Sequence, residues 1–167
     1  MKKLIVLIIT LILMCILVSC SRSTPNQSTQ EEHTATNDNN STQINEENEL
    51  MNKTLSLKIG NTIVDVDWLE NDSVDALKEL AKDGLTIKMN MYGGFEQVGS
   101  IGTSIVSSDT RITTNPGDIV LYSSNQIVIF YGSNTWAYTK LGHINLSKSE
   151  LTNLLGNSDV TITITLK

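Results

Sequence analysis

Apolar and polar residues alternate at both ends of the chain that follows residue 52. Leu55, Leu57 and Ile59 are each separated by one polar residue, and residues 160–166 repeat the pattern. Residues 85–91 alternate in the same way. Since successive side chains of a strand point to opposite faces, this period of two predicts three strands that each bury one face.

A return strand is predicted directly after the first of these strands. Gly60 and Asn61 supply the backbone freedom of a tight two-residue turn. Beyond the turn, Val64, Val66 and Trp68 fall on one face with aspartates between them. The pattern therefore predicts an opening hairpin that packs on one side only.

The middle of the chain lacks this alternation. Residues 119–122 and 127–131 are runs of β-branched and aromatic residues joined by a short polar turn, which is typical of a hairpin. Because neither run alternates cleanly, we expect other parts of the domain to cover both faces of these strands. A further strand is predicted near residues 136–140, and the polar, turn-rich segment 103–114, which contains Arg111, is predicted to be a surface loop.

Two short helices are predicted. Asn71 and the two residues after it offer an N-cap to an apolar stripe at residues 74–81, and Gly84 ends that helix. The second helix follows Ser147 and ends at Gly156. Seven or more short strands without regular strand–helix alternation argue against a parallel doubly wound sheet. They favour a mainly β protein, a small closed or nearly closed antiparallel barrel with two short helices.

The N-terminus has the layout of a secretory signal. Two lysines precede an apolar run at residues 4–18, which is shorter than the roughly 20 residues that a bilayer span requires. The run ends in Leu-Val-Ser-Cys, residues 17–20, which resembles a bacterial lipobox. That resemblance implies a signal peptide at residues 1–19 and lipidation of Cys20, hence a protein anchored in the cell membrane on its extracytoplasmic face.

Residues 20–51 follow as a polar segment. Their composition of Ser, Thr, Asn, Gln and Glu predicts a disordered tether between the lipidated Cys20 and a folded domain at residues 52–167. Six acids lie between Glu31 and Glu49, whereas nine bases and twelve acids follow from Met51 onward. This mildly acidic domain has no basic footprint, so nucleic acid is not expected as a partner.

The order of elements resembles the small bacterial cyclophilin-like domain family. The resemblance rests on the segments Leu-Thr-Ile-Lys-Met, Tyr-Gly-Gly-Phe-Glu, Pro-Gly-Asp-Ile-Val-Leu-Tyr, Ile-Val-Ile-Phe-Tyr-Gly and Tyr-Thr-Lys-Leu-Gly-His-Ile, all within residues 52–167. It implies a compact β-barrel and no settled activity. True cyclophilins isomerise prolyl bonds with an Arg beside Phe, Gln, Trp and His. Arg111 is the sole Arg of the domain sequence, and no residue of that motif can be carried over by position.

Few residues indicate chemistry. His33 and His143 are accompanied by no carboxylate or Cys at ligand spacing, so neither a metal nor a cofactor is expected, and His143 is interpreted as solvated. The glycines at 93–94 and 99–102 precede no helix pattern and are interpreted as turn or bulge residues rather than a phosphate cradle. No catalytic residue is assigned.

Aromatic residues cluster around the predicted strand ends. They either fill the ends of the barrel or line a small apolar pocket at a barrel mouth, with Glu96 and Arg111 as its polar groups. The candidate ligand-binding residues are Tyr92, Phe95, Glu96, Arg111, Tyr131 and Trp136. The sequence thus predicts a lipid-anchored, non-catalytic binding module for a small ligand or peptide. The alternatives are a peptidyl-prolyl isomerase acting on secreted proteins and a purely structural role at the envelope.

Overall fold

The computed structural model describes residues 49–167. The predicted signal peptide, Cys20 and nearly all of the predicted tether lie outside these residues. No helix within residues 49–167 has the length and apolar character needed to cross a membrane. The elements in chain order are β1 (Leu55–Ile59), β2 (Thr62–Val64), β3 (Val66–Trp68), α1 (Asp72–Ala81), β4 (Leu85–Tyr92), β5 (Glu96–Ser100), β6 (Thr110–Thr113), β7 (Asp118–Tyr122), β8 (Gln126–Phe130), β9 (Thr135–Ile144), α2 (Lys148–Leu155) and β10 (Val160–Leu166).

The ten strands of residues 49–167 belong to one antiparallel sheet. Its order is β2-β1-β10-β4-β5-β8-β7-β9-β3, and β6 pairs with the first residues of β9. The strands β2 and β3 end this order on opposite sides, although only Asp65 separates them along the chain. The two edges must therefore lie close together, which nearly closes the sheet into a barrel and confirms the predicted fold class.

The alternating strands fill one large core, the main core. Leu55, Leu57 and Ile59 of β1 are buried, and Leu57 pairs with the equally buried Ile164 of β10. Both helices add their apolar faces to the same core, for example through Leu77 of α1. The predicted half-buried strands at the two ends of the domain are thus confirmed, since their polar residues face away from this core.

Both helices begin where the sequence offers a cap. The side chain of Asn71 accepts a hydrogen bond from the Val74 N–H at 3.0 Å at the start of α1. Ser147 and Glu150 form a capping box at the start of α2. Such caps satisfy N–H groups that a helix itself leaves unpaired.

Two predicted segments differ from the structure. The return strand is not continuous, because at Asp65 the chain leaves the β1 edge and joins β9 at the other edge of the sheet. The predicted loop at 103–114 contains the strand β6, on which Arg111 pairs with Ala137. Only Ile112 of β6 is a large apolar residue, so the strand depends on its partner β9 rather than on a pattern of its own.

The central hairpin of β7 and β8 is covered on both faces, as predicted. Ile119 and Ile129 pair with each other and belong to the main core. On the opposite face, Val120, Val128, Phe130 and Tyr138 form a second cluster, here called the outer cluster. The barrel wall therefore carries apolar packing on its outside as well as its inside.

Candidate functional site

A cavity of about 470 Å³ lies against the outer cluster. Since Gln97 and Gly99 are the residues of β5 that pair with the inward-facing Ile129 and Ile127, Glu96, Val98 and Ser100 point the other way and line this cavity. The site is on the outside of the barrel wall rather than at the barrel mouth, where the sequence analysis had located a pocket.

Packing and hydrogen bonding fix one aromatic wall of the cavity. The ring of Tyr138 packs edge-on against Tyr122, with centroids 5.9 Å apart, and against Phe130 at 5.7 Å. Asn134 donates a hydrogen bond of 3.1 Å to the Tyr138 hydroxyl oxygen. Edge-to-face pairs of this kind are favourable beyond the area they bury, so this wall is held in place without a ligand.

The rim of the cavity exposes large apolar side chains. Met91, Tyr92 and Trp136 are 41%, 66% and 53% exposed. They are half of the six large hydrophobic residues that are exposed in residues 49–167. Scattered exposed hydrophobics are ordinary, whereas a group of them around a concavity marks an interaction surface.

Glu96 is the charged residue of the cavity lining. It is only 6% exposed. Within residues 49–167 its Oε2 atom has no hydrogen-bond partner and its carboxyl takes part in no ion pair. Burial raises the pKa of its carboxyl to about 7. Burial and then the charge of Glu96 raise the pKa values of Tyr131 and Tyr138 above that of an ordinary phenol. The cavity thus holds a carboxyl that titrates near neutral pH.

Three of the six predicted ligand-binding residues line the cavity: Tyr92, Glu96 and Trp136. The Tyr92 and Glu96 positions are directly opposite on neighbouring strands. Their binding role stays a prediction, but the structure brings them together around one concave surface.

The other three predicted residues lie elsewhere. Phe95 packs beside the outer cluster, and its carbonyl accepts hydrogen bonds from the N–H groups of Tyr131 and Gly132. Tyr131 continues the inward-facing series of β8 and packs in the main core. Arg111 is exposed and, because its neighbour Ile112 packs beside the outer cluster, alternation turns it to the opposite face of β6.

Sequence reasoning missed Tyr122 and Asn134 as lining residues. Tyr122 could have been found, since it follows Val120 with the period of two that defines one face of β7. Asn134 could not, because it lies in the loop before β9, and the position of that loop depends on the pairing of β6 with β9.

A second buried carboxylate, Asp118, has a different environment. Its Oδ1 lies 3.0 Å from Lys140 Nζ and 2.9 Å from His143 Nδ1, and its Oδ2 accepts a hydrogen bond from the Asn115 N–H at 2.9 Å. Burial raises the pKa of Asp118, but the hydrogen bonds from Asn115, His143 and Lys140, together with the charge of Lys140, outweigh it and lower that pKa. His143, interpreted from the sequence as solvated, is half-exposed and bonded to this carboxylate.

The turn before Asp118 requires glycine. Asn115, Pro116, Gly117 and Asp118 form a turn closed by a hydrogen bond from the Asp118 N–H to the Asn115 carbonyl. Gly117 has φ +98°, and a Cβ there would lie 2.8 Å from the Ile144 carbonyl oxygen. The Pro-Gly-Asp segment therefore places Asp118 beside β9. No group of three potential metal ligands is close enough to hold an ion in residues 49–167.

Comparison with known proteins identifies the domain. Comparison with curated proteins gives no match. Among solved structures, that of McbB in complex with tryptophan is similar, with a TM-score of 0.47 and 12% identity. The similarity covers 67% of this chain and 44% of the McbB chain, so this chain spans less than half the length of McbB. A family model matches residues 57–167, which shows that the chain belongs to the cyclophilin-like family.

Proposed function

We propose that this protein is a lipid-anchored, extracytoplasmic binding module that takes a small organic ligand or a short peptide in the cavity beside Glu96. The observation that carries the proposal is the buried carboxyl of Glu96, which lines a cavity and has neither an ion-pair partner nor a hydrogen bond to its Oε2 atom within residues 49–167. Taking an ionised carboxylate out of water without a partner costs several kcal/mol, a penalty that a ligand group can offset.

The surroundings of Glu96 support binding of a partly apolar molecule. Aromatic and aliphatic side chains make up much of the lining, and Asn90, Gln126 and Asn134 add neutral hydrogen-bonding groups. The volume of about 470 Å³ is within the roughly 300–1,000 Å³ of small-molecule sites. A cavity that combines apolar walls, a few polar groups and one carboxyl with a shifted pKa is the usual form of a ligand site.

Binding is favoured over catalysis by the composition of the lining. No His, Cys, Lys or Arg of residues 49–167 lines the cavity, so the hydroxyl groups of Ser100 and of the lining tyrosines are the only other groups there that could act as a nucleophile or in acid–base chemistry. Prolyl isomerisation on the pattern of true cyclophilins needs an Arg at the site, and Arg111 is on the opposite face of β6. We therefore propose no isomerase activity.

The proposed location of the protein is inferred from the N-terminal sequence alone. Residues 1–19 are the proposed signal peptide, and lipid on Cys20 is the proposed membrane anchor. A diacylglyceryl group carries two chains, and at about 0.8 kcal/mol per buried methylene it anchors a protein without further contacts. Mass spectrometry of the mature N-terminus tests this proposal: the expected first residue is an acylated Cys20, and persistence of Ser19 on the cellular protein overturns it.

The binding proposal is tested by filling the cavity. Ser100→Trp places a large ring in the cavity from the exposed end of β5 and removes no core side chain. Thr165→Trp is the matched control, an exposed residue of β10 outside the cavity lining. A pool of small aromatic amines, alcohols and acids with short peptides is presented to the purified full chain in detergent, and ligand-observed NMR records which members bind.

We expect at least one member to bind the parent chain and the Thr165→Trp control, and to lose binding to Ser100→Trp. Equal signals from both variants would exclude the cavity as the site. No signal from any member of the pool would overturn the binding proposal itself.

A further inference from the structure

The charges around the cavity distinguish between classes of ligand. Glu96 is the one charged side chain among its lining residues in the described part of the chain. An anionic ligand would place a second negative charge beside a carboxyl that has no basic partner in residues 49–167, whereas a cation would supply that partner. Building on the proposed binding role, we propose that the ligand is a small organic cation, a protonated amine on an apolar body, whose ammonium group pairs with Glu96.

The aromatic rings of the cavity support the same class. Tyr92, Tyr122, Trp136 and Tyr138 come from three strands and surround the space into which Glu96 points. Aromatic rings attract cations through the negative electrostatic potential of their faces, and desolvation strengthens this attraction. A carboxylate combined with several rings therefore favours an ammonium group over a neutral group of the same size.

The lining also indicates what the rest of the ligand is. Val98 and Val128 add aliphatic surface, and Met91, Tyr92 and Trp136 form an apolar rim. An amine that carries an aromatic ring or a compact aliphatic group would place its apolar body against these side chains and its ammonium group at Glu96. The ligand class is thus an aryl or alkyl amine rather than a highly hydrated cation.

A different ligand class would use Glu96 in its protonated form. A neutral carboxyl donates a hydrogen bond, so it would select a ligand with a carbonyl or hydroxyl acceptor. The two classes respond to pH in opposite ways. Because the pKa of Glu96 is about 7, a cation binds more tightly as the pH rises through 7, and a neutral acceptor binds less tightly.

The pH response can be assigned to Glu96. In residues 49–167 the other titratable side chains that line the cavity are Tyr92 on β4, Tyr122 on β7 and Tyr138 on β9. Tyr131 packs in the main core but is close enough for the charge of Glu96 to raise its pKa. Phenols ordinarily titrate near pH 10, and the pKa values of Tyr131 and Tyr138 are raised further. Neither of these two phenols changes charge near pH 7 in the course of the experiment.

Three probes of similar shape separate the classes. Benzylamine is a cation, benzyl alcohol is neutral and phenylacetate is an anion. Isothermal titration calorimetry measures each of them with the purified full chain in detergent, and the Ser100→Trp variant supplies the correction for partitioning into micelles. At about pH 8 we expect benzylamine to bind about tenfold more tightly than benzyl alcohol, and phenylacetate to bind least. Between about pH 8 and about pH 6 the benzylamine affinity should fall about tenfold, because the ionised fraction of Glu96 falls by that factor.

Two variants assign the preference to one carboxyl. Glu96→Gln should bring the benzylamine affinity down to the level of benzyl alcohol and remove its pH dependence. Glu79→Gln makes the same change of charge on an exposed residue of α1 and should leave both unchanged. Benzyl alcohol or phenylacetate binding as tightly as benzylamine would overturn the cation proposal and leave the binding role standing. Absence of binding by all three probes would overturn both.

Discussion

Glu96 and Asp118 each begin a strand on the outside of the barrel wall, and each is almost completely buried. Asp118 is 2% exposed and interacts with Lys140, His143 and the Asn115 N–H. Glu96 is 6% exposed, and its Oε2 has no hydrogen-bond partner in the part of the chain that the structure describes. Burial by itself raises the pKa of both carboxyls, but the pKa of Asp118 is lowered, whereas that of Glu96 is raised to about 7. The opposite shifts of the two pKa values therefore come from the interaction partners of each carboxyl and not from the extent of its burial.

Strand pairing explains which carboxyl receives partners. Asp118 is paired directly with His143, because β7 lies beside β9, and β9 also carries Lys140. Glu96 is paired with Tyr92 on one side and Phe130 on the other. The sheet thus supplies bases to one carboxyl and aromatic rings to the other. Asp118 contributes to the fold, and Glu96 is left for the proposed ligand.

The largest change in the free energy of unfolding is expected for a substitution of Asp118. Asp118→Asn keeps the shape of the side chain but removes the charge that pairs with Lys140 and His143. Hydrogen bonds to a charged group contribute about 1.5–3 kcal/mol, so we expect the free energy of unfolding at neutral pH to fall by that amount. Both bases remain partly exposed and can be solvated, which limits the loss. Guanidinium unfolding of the purified protein measures it.

The pH dependence of this effect has a definite sign. The folded pKa of Asp118 is below its ordinary value of 3.8, so its ionised form stabilises the fold above that value. This stability is lost as the pH falls through the folded pKa. The difference between the parent protein and Asp118→Asn should accordingly shrink in acid, and a difference that stays constant down to that range would show that charge is not its cause.

Much of the fold could be predicted from local patterns. The alternation at Leu55, Leu57 and Ile59 specifies a strand whatever lies beside it, and Asn71 and Ser147 mark helix starts by their own hydrogen bonds. The break at Asp65 could not be predicted, because the alternation of Val64, Val66 and Trp68 continues across it. What divides β2 from β3 is closure of the barrel, a property of the whole sheet.

The residues of the site could be predicted only in part, because their positions also depend on how the strands of the whole sheet pair. The alternation of side chains along a strand predicts that Glu96 and Gln97 face opposite sides of the sheet, but it does not predict which of them faces the main core. Tyr131 and Trp136 are both aromatic residues near strand ends, yet pairing directs Tyr131 inward and leaves Trp136 exposed at the rim. Residue type could identify candidates, whereas the choice among them depended on register.

A smaller effect on the free energy of unfolding, of opposite sign, is expected for Glu96→Gln. Its folded pKa of about 7 exceeds its ordinary value of 4.5, so the folded chain retains a proton that the unfolded chain releases. Stability therefore falls as the pH rises from about 4.5 to about 7 and then levels off. Glu96→Gln cannot ionise and escapes this loss. Relative to the parent, the variant should become more stable by about 1–2 kcal/mol between about pH 5 and about pH 8, a figure reduced for the openness of the cavity.

Guanidinium unfolding of both proteins at the two pH values gives this difference, and Glu79→Gln serves again as the control for loss of one negative charge. If the stability difference between Glu96→Gln and the parent were the same at both pH values, Glu96 would be ionised or neutral throughout, and its contrast with Asp118 would disappear.

The smallest effect on stability is expected at the rim, where binding and folding can be separated. Trp136 is 53% exposed and pairs across the sheet with Ile112. Cross-strand pairs contribute roughly 0.2–1 kcal/mol, so Trp136→Ala should lower the free energy of unfolding by less than about 1 kcal/mol. The same change removes one ring near the proposed ammonium group and should weaken benzylamine binding about two- to fivefold, the range for a partly exposed cation–π contact.

Leu69→Ala, a change at another exposed apolar residue that does not line the cavity, should leave benzylamine binding unchanged. Trp136 lines the cavity beside Glu96, whereas Leu69 does not. Equal loss of benzylamine binding in the two variants would therefore show that general destabilisation, and not the aromatic surroundings of Glu96, causes the loss.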